Sequence, residues 1–297
     1  MKTQKKGFFA RKSLTEIIVT IVVTPILFLW AITLLYPFLW AFLNTFKTPS
    51  EFLLDSFSLP KSFDFHNWTD AFRVLEVTSS NGLSTIGMWE MILNSLWWMF
   101  GSVFISTFVT MLASYALAKY DYKFGKFLYL FNLVIMAIPI VGSLPAQYSL
   151  YYDLGIINSP LLLVTSAGCI GGSAVLIYYS YFKNISWSYA EAVFIDGGGH
   201  WTVFFQVMVP QAMPIVSAMS IIACIGCWND YFTALMYLPD YPTLATGLYN
   251  MTGTTTTANN KPLYFAAVLL SAIPMFILFI AFQEKIMTSV SFGGLKG

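Results

Sequence analysis

The stretch EAVFIDGGGHWTVFFQVMVP, Glu191 to Pro210, holds two acids, three consecutive glycines and a histidine before an aromatic run that ends in proline. It interrupts a chain oily enough to sit in lipid. Of 297 residues, 57% are hydrophobic and 10% are charged, against roughly a quarter charged in an ordinary soluble domain. Tyr189–Ile195 has the length of a short helix. Gly197, Gly198 and Gly199 end it, because glycine reaches backbone angles closed to other residues. Trp201, Phe204, Phe205 and Met208 recur at helical spacing. Trp201–Val209 is therefore expected to be a second short helix, with Pro210 and Pro214 marking the return to the membrane. The product is a compact knob with two carboxylates and an aromatic face, suited to dock a soluble partner. An amphipathic hairpin that only links two spans would have the same outline.

Outward from this segment, the apolar runs predict an all-α chain with six transmembrane helices, since lipid leaves the backbone no partner but itself. The spans are expected at Leu14–Phe46, Met91–Ala118, Phe127–Tyr151, Pro160–Phe182, Met213–Leu238 and Leu263–Met287. These divide the chain into a tail over 1–13, a six-span region over 14–287 and a tail over 288–297. A polar stretch, Lys47–Glu90, separates the first two spans. The Glu191–Pro210 stretch occupies a loop over 184–212, between spans 4 and 5. The basic start, MKTQKKGFFARKS, resembles a signal peptide, but the apolar run after it is far longer than such a peptide's core and reads as a retained anchor.

Lysine and arginine set the orientation. With the N-terminus inside, inner segments hold Lys2, Lys5, Lys6, Arg11, Lys12, Lys119, Lys123, Lys126, Lys183, Lys285 and Lys296. Outer segments hold Lys47, Lys61, Arg73 and Lys261. Both termini and Glu191–Pro210 are thereby placed in the cytoplasm, and Lys47–Glu90 outside.

Several chemistries find no support. The net charge is +1, which gives no reason to expect a nucleic-acid partner. Cys224 and Cys227 form a C-x-x-C, but no second pair completes a zinc site, and with Cys169 they read as small apolar helix residues. His66 and His200 fall on opposite sides of the membrane. Neither H-E-x-x-H nor G-x-S-x-G occurs, so no catalytic residue and no metal site is expected. G-x-x-x-x-G-K-[ST] is absent too, and Gly125-Lys126 lacks the flanking residues that would cradle phosphates. Asp230 is the one acid deep in an apolar run, which is thin support for an ion-coupled secondary transporter; a cap or pair near the outer end of span 5 also explains it. Gly168 and Gly172 are spaced for helix packing. Asn67-Trp68-Thr69 matches a glycosylation site by chance.

The spacing of Glu191, Ala192, Asp196, Gly197, Val207, Val209 and Pro210 resembles the EAA motif of the membrane subunits of ABC importers. Val193, Val207 and Val209 replace the motif's alanine, isoleucine and leucine, and Ser186 stands where a proline is common. YPFLWAFLNTFKTPSEF, Asn94-Ser95-Leu96, Ser114–Lys119, Ile138-Pro139, Pro145 with Tyr148, Leu154–Asn158, Trp228-Asn229-Asp230-Tyr231 and the closing GGLKG are similar to the carbohydrate-importer group in the same order. The maltose-type permease with six spans is the nearest pattern.

The resemblance implies a permease subunit of a binding-protein-dependent ABC importer for a sugar or oligosaccharide, multi-pass in the bacterial cytoplasmic membrane. Its partners would be a second, related permease, two ATP-binding subunits, an extracellular sugar-binding protein and membrane lipid. ATP and Mg would bind the ATPase, with no cofactor on this chain. Glu191, Ala192, Asp196, Gly197, Phe204, Phe205 and Pro210 would form a coupling helix seated on the ATPase. Gly293, Gly294, Lys296 and Gly297 would reach the ATPase as a tail. Trp228, Asn229 and Tyr231 offer aromatic faces and hydrogen-bonding groups for a sugar path, or an interfacial belt.

Overall fold

A computed structural model describes residues 14–292, except 81, 83, 139–141 and 169–171. The tail residues Gly293–Gly297, Pro139 and Cys169 lie outside the described residues. The chain divides into two compact units, Met1–Ala71 with Thr255–Leu269, and Phe72–Thr254 with Leu270–Gly297.

The elements run α1 Leu14–Asn44, α2 Pro49–Leu54, α3 His66–Val74, β1 Glu76–Thr78, β2 Thr85–Gly87, α4 Met88–Lys119, α5 Lys123–Ala137 and α6 Leu144–Asp153. A 3-10 helix, Pro160–Ala167, precedes α7 Ser173–Asn184 and α8 Ser188–Ile195. Then come α9 His200–Asn229, α10 Phe232–Tyr237, α11 Leu244–Thr252, α12 Thr255–Asn259 and α13 Lys261–Phe292.

Four helices among the described residues are long and apolar enough to cross a bilayer: Ile18–Asn44, Met88–Lys119, His200–Asn229 and Lys261–Gln283. The expected spans 3 and 4 are interrupted instead. The first is split between α5 and α6 beside Pro145, and the second between the 3-10 helix and α7. Gly168 caps the 3-10 helix and Gly172 caps α7 at its start, so the pair forms no helical packing stripe. The described residues are mostly helical, as expected, with one short hairpin added. β1 and β2 pair antiparallel, with Val77 opposite Ile86, inside the polar stretch.

In the smaller unit, the K-T-P-x-E segment is structural. Thr48 Oγ1 accepts the Glu51 N–H at 3.2 Å and so caps α2. Glu51 accepts from the Lys61 N–H at 2.8 Å. Lys47, buried, donates to the Asp55 carbonyl at 3.0 Å. Asn67 is buried and donates to the carbonyls of Thr45 and Lys47 at 2.7 and 2.9 Å, which removes it as a glycan acceptor.

The larger unit is organised by α4, whose N-terminus is capped by Glu90 accepting from Gly87 N–H at 3.2 Å. Met88–Glu90 thus belong to the helix rather than to the polar stretch. Near one end of α4, Trp98 packs with Leu162, Ala234, Tyr237 and Leu238. Near the other, Met111 and Tyr115 pack with Tyr178, Phe182, Ala190, Phe204 and Met208. Thirty-two residues of helix span roughly 48 Å, so α4 separates two groups of loops.

Candidate functional site

The Glu191–Pro210 segment lies at the C-terminal end of α4. Ser186 accepts the Ser188 N–H at 3.3 Å and meets the Ser188 hydroxyl at 2.8 Å. A hydroxyl here closes the entry turn of α8 where a proline would have fixed it. Along α8, Ala190, Val193 and Phe194 face inward at helical spacing, and Ala190 is fully buried. Glu191, Ala192, Ile195 and Asp196 face outward and are exposed.

The glycines divide the work of ending α8. Gly197 has φ +82°, the left-handed conformation that L side chains rarely adopt. Its N–H bonds the Phe194 carbonyl at 3.1 Å, and the Gly198 N–H bonds the Val193 carbonyl at 2.8 Å. These two bonds make a Schellman cap. A Cβ on Gly197 would meet nothing within 4 Å, whereas one on Gly198 would lie 2.5 Å from Val193 Cγ1 and 3.0 Å from its carbonyl oxygen. Gly198 is thus required by packing inside the chain, while the space over Gly197 is open. Three glycines in a row predicted the turn without distinguishing these roles.

The second short helix ending at Pro210 is corrected. The chain is continuously helical from His200 to Asn229, through both Pro210 and Pro214. Proline removes an i→i−4 bond and crowds the preceding turn. Here Val203–Met208 forms a π-helical stretch just before Pro210, which absorbs that misfit locally. The segment is therefore a short helix turned back onto the start of a span.

Aromatic side chains hold this turn. Phe204 is buried, 5.0 Å from the Tyr115 ring. Phe205 is half exposed and stacks on Trp201 at 5.9 Å and on Phe108 at 6.4 Å. His200 Nδ1 lies 2.8 Å from the Tyr120 hydroxyl, and its ring contacts Phe194 at 5.0 Å. Lys119 donates to the Ile185 carbonyl. Tyr181 donates to the Gln211 carbonyl at 2.8 Å. Neither Glu191 nor Asp196 forms an ion pair or hydrogen bond through its carboxylate with the described residues. Tyr115, Tyr120 and His200 were missed as positioning residues, since 80 positions separate Tyr120 from His200 and no local pattern links them.

At the opposite end of α4, Asp240 accepts from the Ser79 hydroxyl at 2.7 Å, from the Ser80 N–H at 2.8 Å and from Asn158 Nδ2 at 2.6 Å. The Asp240 N–H donates back to Asn158 Oδ1 at 3.0 Å. The bonds from Ser80, Ser79 and Asn158 hold the Asp240 carboxyl well below the usual carboxylate range. The network gathers the β1–β2 turn, the segment after α6 and the segment after α10. Asn158 itself has φ +57°, a conformation asparagine tolerates better than most residues.

Trp228, Asn229 and Tyr231 do not share one face. Trp228 is buried and donates to the Ser271 carbonyl at 3.3 Å. Asn229 is exposed and donates to Ile225 within its own helix at 2.8 Å. Tyr231 stacks on Tyr249, with ring centroids 4.4 Å apart and planes 15° apart. Tyr249 is a second exposed aromatic that its position in α11 gave no reason to pair with Tyr231. Asp230 ends α9 and caps α10, accepting from the Thr233 N–H at 3.0 Å and from its hydroxyl. No group of three or more metal-ligating side chains occurs among the described residues.

The pattern for the binding-protein-dependent transport system inner membrane component matches residues 110–290. A diacetylchitobiose uptake system permease protein of Streptomyces coelicolor is 27% identical over 274 residues, covering 91% of this chain and 87% of that one. A melibiose/raffinose/stachyose import permease protein of Bacillus subtilis is 30% identical over 244 residues, 80% of this chain and 83% of that one. Among solved structures, a bacterial ABC transporter involved in the import of the acidic polysaccharide alginate matches with a TM-score of 0.71 at 21% identity, over 92% of this chain and 98% of that one.

Proposed function

Because the chain belongs to the family of binding-protein-dependent transport system inner membrane components, we propose that it is a permease subunit that carries a sugar or oligosaccharide through the membrane while ATP is hydrolysed on a separate subunit. The sugar reading rests on the substrates for which the diacetylchitobiose and melibiose/raffinose/stachyose relatives are named. The observation that carries the coupling role is the outer face of α8. Two carboxylates without a partner among the described residues and an open, positive-φ glycine stand on and just past a helix whose inner face is locked by aromatic packing. A surface so fixed from behind and so unfilled in front suits a groove on the ATPase.

Two groups of contacts support six crossings. The segments assigned outside meet at Asp240, and those assigned inside meet at Tyr120, Lys119 and His200. Loops that alternate along the chain thus converge on opposite ends of α4. In this reading the six-span region is 14–287, the segment 47–90 is external, the loop 184–212 is cytoplasmic, and so are the tails 1–13 and 288–297. Labelling of Thr78→Cys and Ile195→Cys from opposite sides of the membrane, in a chain lacking Cys169, Cys224 and Cys227, tests it; labelling from one side refutes it.

The proposed assembly adds a second, related permease, two ATPase subunits and an extracellular sugar-binding protein. This chain holds no nucleotide, metal or other cofactor in the proposal, and the complex without its ATPase subunits hydrolyses no ATP. Gly293, Gly294, Lys296 and Gly297 contact the ATPase, so deleting 293–297 weakens assembly or coupling while membrane insertion stays intact. For the sugar path, Tyr231 with Tyr249 offers the exposed aromatic face and Asn229 a polar neighbour, whereas Trp228 braces the span from within. The ion-coupled alternative loses its one deep acid, since the Asp230 carboxylate is already used in capping α10.

The deciding experiment reconstitutes the complex with Gly197→Trp. Normal membrane levels with lost uptake and lost stimulation of ATP hydrolysis by the sugar-loaded binding protein are expected. Wild-type stimulation and uptake would reduce the segment to a linker.

A further inference from the structure

We propose that the cleft where α4 ends, α5 begins and α7 ends holds the headgroup of an anionic glycerophospholipid. The cleft has a volume of about 460 Å³ and is walled by Lys119, Tyr120, Tyr122, Lys126, Tyr129 and Tyr179. It sits where three helices of an apolar bundle terminate, which is the level of a bilayer–water boundary. The inference needs only that this end lies at such a boundary, on either side of the membrane.

Charge and hydrogen bonding both fit a phosphodiester. Lys126 pairs with Asp121 at 3.3 Å, but the two side chains are 78% and 86% exposed. Such a pair is worth little in water, so the Lys126 ammonium can be shared with an incoming anion. Lys119 spends one proton on the Ile185 carbonyl and retains two more. Lys183 holds its ammonium 5.5 Å from the Tyr179 ring centroid, a cation–π contact that keeps it at the rim. Lys119 and Lys126 thus line the cleft with one carboxylate, Asp121, and Lys183 stands against its Tyr179 wall. The Tyr122, Tyr129 and Tyr179 hydroxyls make no hydrogen bond with the described residues and are free to donate to phosphate oxygens.

Lysines at helix ends ordinarily just extend into water. Here the chain builds a concavity. Gly125 is buried, and the Tyr122 ring folds over it so closely that a Cβ would lie 2.8 Å from Tyr122 Cζ. Tyr129 and Tyr179 close another side with centroids 4.6 Å apart. The walls then become apolar at Leu117, Ala118 and Leu130. Next to Leu130, the exposed rings of Phe124, Phe127 and Phe131 stack along α5 with centroids 5.7 Å apart. A polar mouth whose walls turn apolar at Leu117, Ala118 and Leu130 fits an amphiphile. Inorganic phosphate would use only the mouth. Basic pockets between helices at a membrane surface hold anionic headgroups on this principle.

Native mass spectrometry of the detergent-purified full chain tests the site, with dioleoyl phosphatidylglycerol, dioleoyl phosphatidylcholine or inorganic phosphate added. Selective retention of phosphatidylglycerol is expected. In Lys126→Glu/Lys183→Glu that retention falls about tenfold or more, from roughly 1 kcal/mol per lysine. Lys61→Glu/Lys261→Glu, which alters no cleft residue, retains it. Equal retention of phosphatidylcholine would mean only annular lipid, and equal binding of phosphate alone would mean a free-anion site; either overturns the proposal. So does undiminished phosphatidylglycerol retention in the cleft variant. Should that variant not fold, a photoactivatable phosphatidylglycerol on the wild-type chain labels 117–130 and 179–183, and labelling that misses both segments overturns the site.

Discussion

The two ends of α4 hold their loops together in opposite ways. At the Asp240 end, three segments converge on one carboxylate, and its acceptor capacity is spent inside the chain. At the α8 end, aromatic rings do the joining, and the carboxylates of Glu191 and Asp196 are left outside the network. The difference separates two uses of an acid near a membrane. A carboxylate whose hydrogen bonds close within the fold positions loops. One held on a rigid surface without a partner is available to another protein.

This contrast can be broken by substitution, beginning with the largest effect. Gly197→Trp fills the open space over α8 and forces a side chain onto a φ of +82°. Uptake and stimulated hydrolysis should both be lost, with membrane levels kept, because the strain of about 1 kcal/mol is local. A variant that fails to reach the membrane would show that the turn serves folding rather than coupling.

Next, Glu191→Ala removes a charge that has no partner among the described residues. A charge-assisted bond to the ATPase, worth about 1.5–3 kcal/mol when desolvated, would weaken association about tenfold or more. Titration of the ATPase subunit against the purified permeases measures this. The thermal stability of the chain alone should not change, and a fall in it would place Glu191 with the structural acids.

Asp240→Ala should reverse that pattern. It strands Ser79 and Asn158, and lowers the stability of the chain by about 1 kcal/mol, a figure reduced because the carboxylate is partly solvated. ATPase association should be unaffected in a binding titration.

The smallest effect is the acid limb. The folded-state Asp240 carboxyl titrates below its ordinary value. Its stabilisation is therefore complete above the unfolded value, near pH 4, and is lost as pH falls through the lower folded value. Melting curves between pH 5 and 8 should show the full contribution of Asp240 and no pH dependence from it. Below about pH 4 the wild type should lose the advantage it holds over Asp240→Asn, and a constant difference down to the acid limit would contradict the network.

These contrasts also show what the sequence disclosed. Glu191, Asp196 and Gly197 were legible because a short helix, its acids and its glycine stop are local features within seven residues. The positive φ at Gly197 follows from the same local logic. The Asp240 network was not legible, since its partners lie 82 and about 160 positions away and nothing in Ser-Ser, Asn and Asp at those distances announces a meeting. Likewise the buried Trp228 and the Tyr231–Tyr249 stack depend on which way α9 ends, which a single apolar run does not record. The prolines misled for a physical reason. Pro210 normally stops a helix, and the π stretch that lets this one continue has no composition of its own.

That continuity has a mechanical consequence. The helix from His200 to Asn229 runs roughly 45 Å without leaving helical conformation, with the α8 turn fastened to its first residues and the π stretch and both prolines gathered in its first half. A loop on a hinge would dissipate a push from outside as local flexing. A rod gripped at its foot transmits it as rotation and tilt along its whole length, so the Tyr231–Tyr249 pair just beyond Asn229 stands at the far arm of a lever.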